Sequence, residues 1–135
     1  MRKSLLDTST LIAFLRGNLD VIAKVEAYLD EFDALCLSIL TYYEILRGLK
    51  YIGNEEKIRD FKGLVDKSKI IMLDKDIIER ASEIYAELMK RGELIEDADI
   101  LIAASCLVKG MVLAIDNEKH FRRIKGLEIE SWLMG

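Results

Sequence analysis

The sequence predicts an α/β fold of three layers: a short, mainly parallel sheet of four to five strands flanked by helices. Three observations point there. Short, uniformly apolar runs alternate with longer segments of helical periodicity, the pattern of a sheet covered on both faces. The chain has 135 residues, 51% hydrophobic and 33% charged, which fits one domain over 1–135 with a sizeable core and a soluble surface. Proline is absent, and no repeat, low-complexity tract or linker divides the chain, so glycines and polar clusters mark the breaks.

The elements follow in order. Residues 3–7, KSLLD, read as a short buried strand. Residues 8–17 read as a helix that starts at hydroxyl residues and stops at Gly17. Residues 18–32 form an amphipathic helix with apolar positions at 19, 22, 25, 29 and 32. A second strand spans 34–39, and a helix spans 41–53. Residues 55–67 form a charged helix that turns Ile58, Phe61, Leu64 and Val65 inward. A third strand covers 69–73. A long helix over 74–92 has Asp74 or Asp76 near its start and Gly92 at its stop. The helix over 97–110 is apolar almost all round, which places it between the sheet and another layer. A fourth strand, 111–116, again ends on aspartate. A short basic helix or turn over 118–124 and a last strand over 127–132 complete the chain.

The acids are placed unevenly. Asp7 and Asp116 end strands one and four, Glu44 lies at the start of the helix after strand two, and Asp97 and Asp99 open the buried helix before strand four. All belong at the carboxyl edge of the predicted sheet, where ligand sites of open α/β sheets form. Carboxylates gathered there repel unless protonated or bridged by cations. An all-oxygen set suits a hard ion, Mg²⁺ or Mn²⁺. Each acid also has a plainer role. Asp7-Thr8-Ser9 are good helix caps, with Thr8 or Ser9 able to cap and leave Asp7 free. Thr41 to Glu44 has the spacing of a capping box. Asp97 and Asp99, two apart on a helix, point to different sides, so one would face the site and the other cap. Asp116-Asn117 fits a turn. Capping alone does not require all of them to share one edge.

Other features bound the function. The formal net charge is −4, which argues mildly against nucleic-acid binding by bulk electrostatics. Local cations remain: Arg47 lies one turn beyond Glu44, and Lys119, Arg122, Arg123 and Lys125 follow Asp116. These could position phosphates or simply form a solvated basic face. Cys36 and Cys106 lie in apolar runs without C-x-x-C spacing and are expected to be buried free thiols. A single histidine, His120, excludes sites that need two. The start of the chain has two basic residues and an apolar stretch, but Asp7 interrupts it and no small-residue cleavage site follows. No apolar run can cross a bilayer. A cytoplasmic protein with no membrane association is expected.

Four segments carry a resemblance: LLDTSTLIAFLRG, LTYYEILRGL, IEDADILIAASCLVKGMVLAIDNEKHF and LEIESW. Together they resemble the PIN-domain ribonucleases, and most closely the VapC-type toxins of type II toxin–antitoxin systems. The likeness covers nearly the whole chain in the family's order. It implies a PIN-like three-layer α/β/α fold. It implies Asp7, Glu44, Asp99 and Asp116 as the four catalytic acids, with Asp97 a less essential acid and Ser9 and Asn117 in support. Ile115 departs from the pattern, because many members carry Thr or Ser there. The implied activity is hydrolysis of RNA phosphodiester bonds with Mg²⁺, or Mn²⁺, held chiefly by Asp7 and Asp99. The implied partners are a cognate antitoxin and a second copy of the chain. The apolar residues Leu11, Phe14, Leu15, Tyr28, Leu29, Leu46 and Tyr51 would serve either those contacts or the core. Two other functions compete with this one. An inactive PIN-like module that binds RNA or protein would ordinarily have lost acids. A phosphatase-like α/β domain would carry a D-x-D nucleophile motif, and Asp7-Thr8-Ser9 does not.

Overall fold

The structure, a computed structural model, describes residues 1–116 and 118–133. Its elements are β1 (Ser4–Leu6), α1 (Thr8–Leu15), α2 (Leu19–Glu31), β2 (Cys36–Ser38), α3 (Ile39–Ile52), α4 (Glu55–Asp66), β3 (Lys69–Ile71), α5 (Lys75–Lys90), α6 (Asp97–Lys109), β4 (Val112–Ile115), α7 (Glu118–Phe121) and β5 (Ile129–Ser131). The five strands form one sheet in the order β3-β2-β1-β4-β5, and every pairing is parallel. The chain leaves β1 toward β2 on one side and later returns to β4 on the other. The switch point therefore lies between β1 and β4, where Leu6 is in register with Ala114.

Alternation along these strands builds two cores. Leu5, Cys36, Leu113 and Ile115 face one side, where they pack with Ile77, Ile84 and Leu88 of α5 and Ile102 and Ala103 of α6. Leu6, Leu37 and Ala114 face the other, with Leu11, Val21, Val25, Tyr28, Phe61 and Trp132. Fully burying such side chains stabilises by about 1.5–3 kcal/mol each. The helix over 97–110 takes the position its composition predicts: Ile100, Ile102, Ala103, Ala104, Ser105 and Cys106 are all buried. Both cysteines are buried free thiols, as expected. Among the described residues, no helix is long and apolar enough to cross a membrane.

The details depart from the sequence-based expectation in three places. Of the predicted apolar positions of α2, Val25 and Phe32 pack on the core, but Val21 and Tyr28 complete the inward face in place of 19, 22 and 29. Leu19 is exposed because it is the first helical residue after the Asn18 cap, beyond the reach of the core. Helix α3 starts two residues early, at Ile39: Ser38 is its cap, accepting from the Leu40 N–H at 3.1 Å. The capping box at Thr41–Glu44 therefore does not form. Thr41 is a buried residue of the first turn, and Glu44 sits in the second. Finally, Leu11 and Tyr28 are completely buried, so they are core residues and not contact candidates.

Candidate active site

Helix α1 begins directly at the end of β1, and Asp7 is the joint. Its backbone N–H extends the sheet by donating to the Ala114 carbonyl of β4 at 3.0 Å. Its side chain caps the helix, with Oδ1 accepting from the Thr10 N–H at 2.8 Å. The Thr10 hydroxyl donates to the same Ala114 carbonyl at 3.1 Å, which clamps the turn to β4. The expectation that Thr8 or Ser9 would cap α1 and leave Asp7 free is thus corrected. Asp7 caps with one oxygen and retains a second. Only 6% of it is exposed. Burial pushes its carboxyl from the ordinary 3.8 up to about 6. The Thr10 hydrogen bonds oppose that rise, and the charges of Asp116 and Asp99 add to it.

The other acids converge on Asp7 from different segments. Thr8 turns its hydroxyl to Glu44 Oε1 at 2.8 Å and lies 3.0 Å from the Thr41 hydroxyl. A hydroxyl relay thus ties α1 to α3 and holds the Glu44 carboxylate in place. Asp99, half-buried in the first turn of α6, has its carboxyl raised by burial and by the charges of Glu96 and Glu44, with His120 opposing. Asp116 is exposed at the end of β4. It lines a cleft of about 540 Å³ with Ser9, Arg16 and Asn18. Ile115, one residue earlier, is fully buried in the core beneath α5 and α6.

Asp97 does not join this set. It lies in a groove on the opposite side of α6, with Ile78, Ser82 and Tyr85 of α5, as the two-residue spacing requires. Neither Asp97 nor Asp99 is the cap of α6. Glu96 holds that position without a side-chain capping bond. Asn117 lies outside the described residues. The basic residues have separate positions. The Arg47 guanidinium sits 5.1 Å from the Tyr43 ring centroid. Arg123 donates to the carbonyls of Glu93 and Leu94 at 3.1 and 3.4 Å, and Lys125 pairs with Glu87 at 3.7 Å. Arg123 therefore braces the α5–α6 connection and is not turned outward to bind phosphate. Thr8, Thr10, Thr41, Glu96 and His120 contribute to the site; from the sequence Thr8 and Thr41 read only as caps and His120 only as a lone histidine, and Thr10 and Glu96 are not singled out. The only sequence signal for Thr8 and Thr10 is the D-T-S-T string, which reads equally well as capping.

Among the described residues, no group of three His, Cys, Asp or Glu side chains is arranged to hold an ion directly. The geometry is instead that of carboxylates converging loosely on one buried member. A family model, PIN domain, matches residues 4–127. The chain belongs to the PIN-domain family. Similar proteins agree across almost the whole length of this PIN domain. Ribonuclease VapC1 of Methanocaldococcus jannaschii is 37% identical over 129 residues, covering 94% of this chain and 86% of that protein. The tRNA(fMet)-specific endonuclease VapC of Salmonella typhimurium is 27% identical, covering 98% and 99%. Among solved structures, DNA-bound VapBC from Salmonella typhimurium superposes with a TM-score of 0.88 at 25% identity, covering 98% of this chain and 100% of that one. In this PIN domain the sheet order puts Asp7 and Asp116 on the two strands that flank the switch point, with Glu44 and Asp99 arriving on helices from either face.

Proposed function

We propose that this PIN-domain protein is a ribonuclease of the VapC type, the toxin of a toxin–antitoxin pair, and that it hydrolyses RNA phosphodiester bonds with the help of a divalent cation. One observation carries the reading: Asp7, a carboxylate only 6% exposed, stands at the switch point with one oxygen held by Thr10, close enough to Asp116 and Asp99 for their charges to act on it. A fold maintains such a group when its charge has a use. The named activities of the VapC relatives and the likeness to VapBC support the same reading and, with it, a small antitoxin as partner.

The donors fit Mg²⁺ or Mn²⁺. They are all hard oxygens, and Mg²⁺ is typically held by one or two carboxylates while it keeps several waters, a number that Asp7 and Asp99 could supply. Asp7 and Asp99 would hold the ion, and Glu44 and Asp116 would complete the acidic rim. When bound, the cation neutralises charge on the phosphate and acidifies a water. The remaining chemistry belongs to the chain. Thr10 fixes one oxygen of Asp7 and leaves the second for a ligand. Thr8 fixes Glu44. A carboxylate so held can orient the attacking water and take its proton as the phosphorus–oxygen bond to the leaving nucleotide breaks.

The test is cleavage of single-stranded RNA in Mg²⁺, in Mn²⁺ and in EDTA by wild type, Asp7→Asn and Asp99→Asn. Wild-type cleavage should require the cation, and each variant should lose at least a hundredfold in kcat. Cleavage that persists in EDTA, or that survives both substitutions, rejects the metal-dependent nuclease.

A further inference from the structure

Helix α3 carries a second feature beside Glu44. Tyr43, Arg47 and Tyr51 recur every four residues, so they share one face. The Arg47 guanidinium stands 5.1 Å over the Tyr43 ring. Both rings are presented to solvent, Tyr43 with 60% and Tyr51 with 93% of its surface exposed. Lys50 adds a cation in the last turn. The stripe starts one residue from Glu44 and runs along the helix for about 12 Å at 1.5 Å per residue. Tyr51 lies seven residues after Glu44, two turns along, on the same side of the helix.

We propose that Tyr43, Arg47 and Tyr51 form a stacking platform that receives the bases of single-stranded RNA and leads the strand toward the carboxylates. This rests on the ribonuclease reading above and names how its substrate is held. Three considerations favour RNA as the occupant. A net charge of −4 argues mildly against a grip on RNA by bulk electrostatics, which puts the weight on local contacts. Flat rings and guanidinium planes stack on any base and need no sequence readout. The stripe is also continuous with the acidic site, as a substrate path must be. Beside it lies a groove of about 430 Å³ that has no exposed ring: Ile12, Leu15 and Leu49 line it together with Glu44 and the charged Arg16, Lys57 and Asp60.

The experiment uses the full chain and a fluorescein-labelled single-stranded RNA, with binding read by anisotropy in EDTA so that no cleavage intervenes. An oligonucleotide of the same length with abasic sites serves as the second probe. Tyr43→Ala and Tyr51→Ala should each weaken RNA binding by five- to fiftyfold. Tyr43→Phe and Tyr51→Phe should stay within twofold, because stacking needs the ring and not the hydroxyl. The abasic probe should bind wild type and both alanine variants alike. With Mg²⁺ restored, the alanine variants should show the loss in KM, with kcat within twofold. Alanine variants that bind ordinary RNA like wild type overturn the proposal, as does an equal loss on the abasic probe. Alanine variants that keep RNA affinity but escape inhibition by the antitoxin assign the stripe to protein binding and also overturn it. If wild type cleaves RNA and the alanine variants do so with unchanged KM, only the platform falls. If wild type neither binds nor cleaves single-stranded RNA, the ribonuclease reading falls with it.

Discussion

Replacing Asp7 by Asn should stabilise the protein, and the size of the gain follows from the site. The Asp7 carboxyl is held at about 6 against an ordinary 3.8, first by burial and then by Asp116 and Asp99. Each tenfold change in proton affinity corresponds to about 1.4 kcal/mol. Because the folded value lies above the unfolded one, the group favours folding most below pH 3.8, and that contribution is lost as pH rises through about 6. By pH 8 the charged carboxylate therefore costs about 3 kcal/mol relative to its neutral form. Asp7 is only 6% exposed, so solvent screening removes little of this. Asparagine keeps the oxygen that accepts from Thr10 and caps a helix as well as aspartate does, yet it carries no charge. In EDTA at pH 8, Asp7→Asn should be more stable in urea by about 3 kcal/mol and melt about 10 °C higher. At pH 4 the two proteins should nearly coincide. Added Mg²⁺ should close the gap by stabilising wild type alone. A variant no more stable than wild type at pH 8, with the same slope between pH 4 and 7, would show that Asp7 is not a strained buried charge.

Three further outcomes test neighbouring parts of the structure. Thr8→Val removes the hydroxyl that donates to Glu44 Oε1. It should lower kcat about tenfold while Glu44→Gln lowers it further, and the double variant should show no additional loss from Thr8, read by single-turnover cleavage. Ser38→Ala removes the cap of α3 and should cost about 1 kcal/mol in urea unfolding, whereas Ser9→Ala, at a residue that does not cap α1, should leave stability within about 0.5 kcal/mol. The Cys106 thiol is pushed up to about 12, first by burial, and Cys36 is buried beside the same core. Neither should react with a thiol reagent at pH 8 until denaturant is added, and rapid labelling of the native protein would contradict the packing.

Much of the fold was legible because period and position carry it. The uniformly apolar strands and the nearly all-apolar helix α6 can only satisfy their burial in a covered parallel sheet, and Gly17, Gly53, Gly92 and Gly110 end helices where positive φ is needed. Helix phase was less legible. In α2, apolar residues occur at 19, 22 and 29 as well as at 21, 25 and 28, and only packing against Trp132 and Phe61 selects the second face. In α3, Thr41 reads as the cap and Ser38 as part of the strand, and only where β2 actually stops makes Ser38 the cap. The site was legible as a set of acids and not as a set of hydrogen bonds. Spacing alone separates Asp99 from Asp97, because two residues on a helix cannot share a face. No local pattern shows that Thr8 reaches across 36 residues to Glu44, or that Arg123 turns back to the carbonyls of the α5–α6 connection.

Capping and, in the proposed mechanism, metal binding at Asp7 would be coupled outcomes of one geometry. A parallel strand that passes straight into a helix must put its junction residue at the sheet's carboxyl edge, where the helix's first N–H groups need an acceptor and attract negative charge. An aspartate meets that need with one oxygen. The sheet order then brings β4 alongside, and with it Asp116, while α3 and α6 bring Glu44 and Asp99. Helix capping alone would be satisfied by serine or asparagine without the cost of a buried charge. A charge here gains a use under the proposed mechanism, in which a cation on the second oxygen would turn the mutual repulsion of these acids into attraction. Under that mechanism stability and activity are set against each other at this residue: the substitution that relieves the fold is the one that would remove a ligand of the ion.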